Sequence, residues 1–445
     1  MSNQASLGDI PDNSETQERK SKERENDWET SPLGNYCEIV TGNNFSSEKY
    51  IESGIPLIRI SNLGNGTISK DDLVNLPKDE LDDLDQKYIL EKGDTLIAMS
   101  GATTGKLGVI REEDSPSILN QRIGKFKPNS GLNKIFLRFV VESHEYQRYV
   151  NAHAKGGAQP NISATDLKNI DIPHPSEDEQ RRIASVLYNV DRAISKTEEI
   201  IEQTQRVKKG LMQDLFTEGY YDHETVEGNH RWEKVPEDWR FIPLNKVVTT
   251  NPRYDKPDRE IAYIEMDAVN EDLPHPDYIG RRNPQDSSGR RFKEKDTLFA
   301  RITPCTENGK ICFVDNIETD LGIASTELAV LSPDQDEILP KFLYHFTRTH
   351  RVRDYAISRM RGSTGRQRVP FSVFKKELYI PLPEKEEQEK IVEALDGLDQ
   401  KKTKLRENKE QLRRLKKGLM QDLLTGEIRT HESIKVLDEV IEVEG

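Results

Sequence analysis

The sequence predicts a doubled protein of mixed α+β and α/β class. Two similar globules alternate with two long helices that pair as an antiparallel coiled coil, giving an internal repeat with pseudo-two-fold symmetry. Three observations lead there. Residues 172–219, IPHPSEDEQRRIASVLYNVDRAISKTEEIIEQTQRVKKGLMQDLFTEG, align without a gap at an offset of 208 with residues 380–427, IPLPEKEEQEKIVEALDGLDQKKTKLRENKEQLRRLKKGLMQDLLTGE. Of these 48 positions 22 are identical, which chance does not produce. Both copies place apolar residues at alternating steps of three and four, the signature of paired helices. The segments before each copy repeat a few landmarks at much lower identity.

Taken in chain order, residues 1–25 read as a disordered polar tail, because PDNSETQERKSKERE offers no apolar side chain but proline to offset the cost of ordering. Residues 26–174 form the first globule. Short β-branched runs such as Pro56–Ile60 and Leu107–Ile110 predict strands, Gly101 marks a turn, and Phe136-Leu137 opens a helix that ends before Gly156. The central helix spans 175–219, a linker 220–234, the second globule 235–382, the distal helix 383–427, and an acidic tail 428–445. Each helix starts after Pro-x-Pro and carries acids in its first turn, where the helix dipole favours anions. Ile183, Leu187, Ile194, Ile201, Leu211 and Leu215 mark the contact face of the first helix. Ile391, Leu395, Leu398, Leu405, Leu412 and Leu419 mark that of the second, with Lys402, Lys409 and Lys416 at alternate seam positions. About 40 residues make a rod of roughly 60 Å. Antiparallel pairing sets a globule at either end, whereas parallel rods would crowd both together.

Length and composition exclude several classes. The 445 residues leave room for two or three domains. No stretch approaches the roughly 18 apolar residues of a membrane span and no secretory h-region opens the chain, which predicts a cytoplasmic protein without membrane contact. Three cysteines form neither a disulfide framework nor a zinc pattern, so no structural metal is expected. The 79 acids against 65 Lys plus Arg give −14; what decides nucleic-acid binding is a local basic face rather than the total. Catalytic motifs fail on inspection. Gly101-Ala-Thr-Thr-Gly-Lys106 has one residue too few for a phosphate loop and no hydroxyl after the lysine. Asn251-Pro-Arg-Tyr254 lacks the second proline of the amino-methyltransferase loop, no acid-x-Lys follows the Pro-Asp pairs at 257/258, 276/277 and 333/334 before the distal rod, and the histidines show no paired spacing.

The positive signal is basic and flexible. Residues 348–368 hold seven arginines against one acid, and 281–293 hold five basic residues against one acid. Arg281, Arg282, Arg290, Arg291, Arg359, Arg361, Arg366 and Arg368 are therefore candidate contacts to phosphates or to guanine edges, which the guanidinium fork reaches in pairs. In the first globule Asn120, Gln121, Arg122, Lys155, Gln159 and Asn161 supply the amides and cations that read adenine or phosphate. A coiled-coil adaptor whose globules bind proteins and whose arginines are merely solvated is the alternative.

Four motifs carry a family resemblance: Pro-x-Pro followed by Glu-Gln at 179/180 and 387/388, Leu-Met-Gln-Asp-Leu at both rod ends, Gly-Asp-Thr-Leu-Ile-Ala-Met-Ser-Gly-Ala-Thr-Thr-Gly at 93–105, and Gly157-Ala-Gln-Pro-Asn-Ile162. Together with the doubled plan, they resemble the specificity (S) subunit of type I restriction-modification systems. The second globule departs from the pattern, with Lys295-Asp296 for Gly-Asp and 303–309 for the glycine turn. The resemblance implies a chain that is not catalytic alone, with two target recognition domains each reading half of a bipartite double-stranded DNA sequence. It further implies rods that set the half-site spacing and dock two modification subunits for adenine-N6 methylation, and two restriction subunits with helicase and nuclease activity. S-adenosylmethionine, ATP and Mg²⁺ would belong to those partners and no cofactor to this chain.

Overall fold

The computed structural model describes residues 28–438 except 65, 83, 155–159, 229–231, 233, 256, 287 and 364. The polar tail at 1–25 and the last residues of the acidic tail lie outside that range. The chain divides into two compact units, residues 1–195 with 411–445, and residues 196–410. Each unit holds one globule and a part of each rod. Among the described residues no helix is long and apolar enough to cross a membrane.

In the first unit Glu29–Pro32 pairs antiparallel with Asp171–His174, joining the start of the globule to the strand that leads into the rod. One four-stranded sheet runs in the order Cys37–Thr41, Ile123–Pro128, Thr95–Ala98, Leu107–Val109. A second runs Val74–Leu76, Ile55–Ile58, Ser117–Leu119, Ile89–Leu90, with one parallel pair, 55–58 on 117–119. The second unit repeats this strand for strand. Arg240–Pro243 pairs with Tyr379–Leu382, and one sheet runs Val248–Thr250, Leu328–Pro333, Thr297–Ala300, Ile311–Phe313. The other runs Gly280–Arg282, Ile261–Ile264, Gly322–Ala324, Arg290–Phe292, again with its one parallel pair, 261–264 on 322–324.

The turn where the second globule departs in sequence keeps its shape. Gly93 and Lys295 both take left-handed φ, 84° and 73°. Their amides donate to Ile110 O and Val314 O, and the neighbouring Asp94 and Asp296 carboxylates accept from Glu91 N and Lys293 N. The single helix predicted in the first globule is instead two, and the second globule matches it. Lys134–Glu142 and His144–His153 meet at Ser143, and Pro340–Arg348 and His350–Ser358 meet at Thr349. In each case that hydroxyl caps the following helix, a local bond that apolar spacing does not reveal.

The rods are the helices Glu177–Leu215 and Lys385–Leu424. The Glu-Gln pair at each start has a structural role. Gln180 accepts from Asn133 N and donates to Gly131 O and Pro175 O. Gln388 does the same with Leu339 N, Glu337 O and Pro383 O. Trp28 Nε1 donates to Glu179 at 3.3 Å and Trp239 Nε1 to Glu387 at 3.0 Å. Each pair therefore fastens its rod to the first helix and first strand of the preceding globule.

Antiparallel pairing is visible within each unit. In the second, Glu198 meets Lys409, Gln205 meets Lys402 and Lys208 meets Asp399; in the first, Asp191 meets Lys416. Every advance along one helix matches an equal retreat along the other. The seam departs from the predicted continuous heptad face. Ile183 and Leu187 share the first globule's core with Leu419, Leu423 and Leu424. Leu211 and Leu215 share the second's with Ile391 and Leu395. Ile194 is buried, but Ile201, Leu398, Leu405 and Leu412 are only partly so. Thr197, Thr204, Lys208 and Lys402 fill the buried positions between. The globules thus supply the apolar cover at the rod ends, and the middle is held by polar pairs.

Two segments outside the globules and rods are also structured. In the linker 220–234, Thr225–Glu227 pairs with Lys234–Pro236, and Trp232 is buried with its ring stacked on Phe346. The acidic tail docks over its described part. Arg429 Nε donates to Glu179 at 2.6 Å, Leu437 N to Ser185 Oγ at 3.1 Å, and Val436 and Leu437 pack on the first core.

Candidate nucleic-acid interface

Four loops meet at one rim of the first globule because their backbones bracket one another. Met99 N donates to Arg122 O, Ile162 N to Met99 O, Gly101 N to Pro160 O, and Gln121 N to Asn43 O. The Gly101–Gly105 turn belongs to this bracket: both glycines have left-handed φ, and Thr104 Oγ1 donates to Pro160 O at 2.9 Å. Gln121, Arg122 and Asn161 stand exposed on the rim. Asn120 does not. It is buried, and its Oδ1 accepts from Gln121 N at 2.7 Å, so its amide shapes the loop instead of facing out. Lys155 and Gln159 lie outside the described residues.

The second globule builds the same rim at equivalent positions. Arg301 N donates to Glu327 O, Val369 N to Arg301 O and Thr303 N to Gln367 O. Arg301 thus stands where Met99 stands, Glu327 where Arg122 does, and Arg368 where Asn161 does. The frames agree while the side chains on them differ. Arg368 makes a two-pronged ion pair with Glu327 at 2.8–3.0 Å, and that hydrogen bonding holds the Glu327 carboxyl below its usual range.

Most of the predicted arginines have a partner within the globule, although Arg281, Arg282 and Arg359 remain exposed. Arg291 Nη1 donates to Tyr254 O at 2.8 Å, Arg290 lies over the Phe371 ring, and Arg282 lies 3.9 Å from the Tyr263 ring centroid. Arg359 Nε donates to Glu377 at 2.9 Å. Within 348–368, Arg348 donates to Ile311 O and Glu271 O, and Arg353 to Glu307 O. Arg281 pairs with Glu318, but both are exposed, and such pairs exchange at little cost. Arg361 and Arg366 are exposed and have no side-chain partner among the described residues. They flank Gly362 and Gly365 in the loop closed by the 361–368 bridge. Sequence counting found the basic segments but missed Arg301, which lies over Phe371 at 3.8 Å on the rim.

Among the described residues one cluster has metal-ligand character: His345, Asp396 and Asp399 bring ligand atoms within 4.8 Å of one another. Asp396 is engaged by His345 Nε2 and Lys341, and Asp399 Oδ2 by Lys208, while Asp399 Oδ1 and His345 Nδ1 are buried with no hydrogen-bond partner among the described residues. Two ammonium groups supply the charge a cation would bring.

The predicted helix-contact residues are placed by the same geometry. Ile183, Leu187, Leu215, Ile391 and Leu395 are buried in the globule cores, so they serve intrachain packing and leave no surface for another subunit.

The doubled frame with two differently equipped rims defines a paired recognition protein. Comparison with known families matches residues 25–206 and 236–414 to the type I restriction modification DNA specificity domain. The chain belongs to that family and carries the domain twice. It is 32% identical over 195 residues to the specificity subunit of the type I restriction enzyme MjaVIII of Methanocaldococcus jannaschii, covering 43% of this chain and 46% of that protein, just under half its length. It is 22% identical over 397 residues to the specificity subunit of EcoBI of Escherichia coli, covering 83% and 79%. The crystal structure of the type I restriction-modification S subunit from M. genitalium superposes with a TM-score of 0.56 at 15% identity, over 91% of this chain and 98% of that one.

Proposed function

We propose that the chain acts as the DNA-specificity subunit of a type I restriction-modification complex, each globule reading one half of a bipartite double-stranded sequence through its rim. The observation that carries this reading is the pair of rims: three equivalent backbone brackets place Met99, Arg122 and Asn161 in one globule where the other has Arg301, Glu327 and Arg368. A frame that is kept while its side chains change suits two readers of different sequences. Phosphate contacts would come from Arg361 and Arg366, whose guanidiniums need not leave a partner first.

In this reading the antiparallel rods set the spacing between half-sites. Two modification subunits carry S-adenosylmethionine and methylate adenine, and two restriction subunits carry the ATP- and Mg²⁺-dependent activities. The chain itself recognises DNA and assembles the partners. The test is duplex binding by the chain assembled with its modification subunits. Affinity should fall steeply with salt as counterions are released, and Arg122→Ala should change the preference at one half-site only. Binding that ignores sequence would reject the reading and favour the adaptor.

A further inference from the structure

Arg368 is aimed on the second rim by both its backbone and its side chain. Its amide donates to Arg361 O and its carbonyl accepts from Arg361 N, and a second bridge joins it to Ile302. Its Nε and Nη2 both donate to the Glu327 carboxylate at 2.8–3.0 Å, which takes up one edge of the planar guanidinium. The fork has a second edge, formed by one N–H of Nη1 and one of Nη2. No group among the described residues takes that edge, and the side chain is 42% exposed.

The surroundings add positive charge without adding acids to match it. Arg301 and Arg290 lie over the Phe371 ring, 3.8 and 4.8 Å from its centroid, and their charges act on the same Glu327 carboxylate. Three guanidiniums therefore share one carboxylate, which leaves the rim suited to an electronegative ligand. Arg361 and Arg366, held by no partner among the described residues, are suited to phosphates, which carry no sequence information. A fork fixed in its plane suits a base edge, where orientation decides the fit. The first rim has Arg122 where Glu327 stands and Asn161 where Arg368 stands, so this pair belongs to the second globule alone.

We propose that Arg368 is a specificity-determining residue that reads one guanine in the half-site of the second globule, and that Glu327 is the positioning residue that aims it. The proposal rests on the functional reading above. In the major groove guanine presents two acceptors side by side, N7 and O6, which match the two parallel N–H groups of the open edge. Adenine sets an amino donor where guanine has O6, and would leave one N–H of Arg368 unpaired. Because Glu327 holds the fork before DNA arrives, little side-chain freedom remains to be lost on binding.

The test takes the full-length chain assembled with its modification subunits, identifies the recognised sequence from the DNA it methylates, and measures binding to duplexes changed one base pair at a time, at several salt concentrations. Arg368→Ala should lose at least about tenfold of the discrimination at one G·C pair in one half-site and leave every other position as it was. Arg368→Lys keeps the charge but not the fork, so it should show the same loss at that pair with the salt slope unchanged. Glu327→Gln should give a smaller loss at the same pair, whereas a merely structural role would move all positions or none. Melting temperatures should change little, because the pair is partly exposed. If Arg368→Ala weakens all duplexes alike and Arg368→Lys restores them, Arg368 contacts a phosphate, and the proposal is overturned while the functional reading stands. Preferences unchanged at every position in both Arg368 variants overturn it in the same way. An unaltered chain with no sequence preference overturns the functional reading and this proposal together.

Discussion

Both ring nitrogens of His223 face carboxylates, Nδ1 at 3.0 Å from Asp238 and Nε2 at 2.8 Å from Glu387. A neutral imidazole has one N–H and can serve only one of them. Burial opposes the charge, yet the hydrogen bond to Glu387 and the charges of Glu387 and Asp238 outweigh it and hold the pKa above its ordinary value. A raised folded pKa adds stability that is complete below about pH 6.5 and is lost as pH rises through the folded value. His223→Gln should therefore lower stability by about 1–2 kcal/mol at pH 5.5 and much less at pH 9, read from thermal melts. Asp296 shows the same sign for a different reason: burial pushes its carboxyl up to about 6, against the pull of the Lys293 amide. Its counterpart Asp94 is paired with Lys134 and Lys125, where the second globule has Pro340 and Val330. The stability it contributes is full below about pH 4 and lost as pH rises through 6. Asp296→Asn keeps the acceptor and should stabilise at pH 8 by up to about 3 kcal/mol, with little effect at pH 3.5. On the DNA face, Arg361→Ala with Arg366→Ala should flatten the salt dependence of binding by about one unit of slope for each phosphate that is no longer neutralised, whereas Arg291→Ala should mainly reduce stability. The sequence could show that arginines cluster. It could not show which of them are occupied, because their partners, Tyr254 O, Phe371 and Glu377, are distant in sequence.

At the scale of the elements, the rods were legible in their positions, their antiparallel pairing and their acidic starts, because a 3.6-residue period and Pro-x-Pro are local signals. Their seam was not. Whether Leu405 or Lys402 is buried depends on what the other rod and the globule bring to that height, and Lys402 meets Gln205 and Asp272 O. Lys208–Asp399 and Lys416–Asp191 occupy equivalent positions of the repeat, and polar seam pairs of this kind specify register. Lys208→Met should cost about 3–5 kcal/mol by leaving the Asp399 carboxylate buried and unpaired. Adding Asp399→Leu should recover most of that loss, as measured by denaturant melts. If the double variant is no more stable than the single, the pair is not what holds this height of the rods.

At the scale of the whole molecule, the doubling was fully legible from the 208-residue offset, and the matching of the globules only faintly so. Their identity is low because the frame is held by backbone hydrogen bonds, such as Met99 N to Arg122 O and Arg301 N to Glu327 O, which constrain side chains weakly. The same fact makes the globules exchangeable. Replacing residues 26–174 by the corresponding globule of a relative carries both Glu29–Pro32 and Asp171–His174, so the closing strand pair is kept. The central claim, two independent readers on one frame, is tested most directly by sequencing the DNA methylated in cells that carry this exchange. The account predicts that one half of the methylated sequence changes while the other half and the spacing stay the same. A change in both halves, or in neither, by a stable and assembled variant would contradict it.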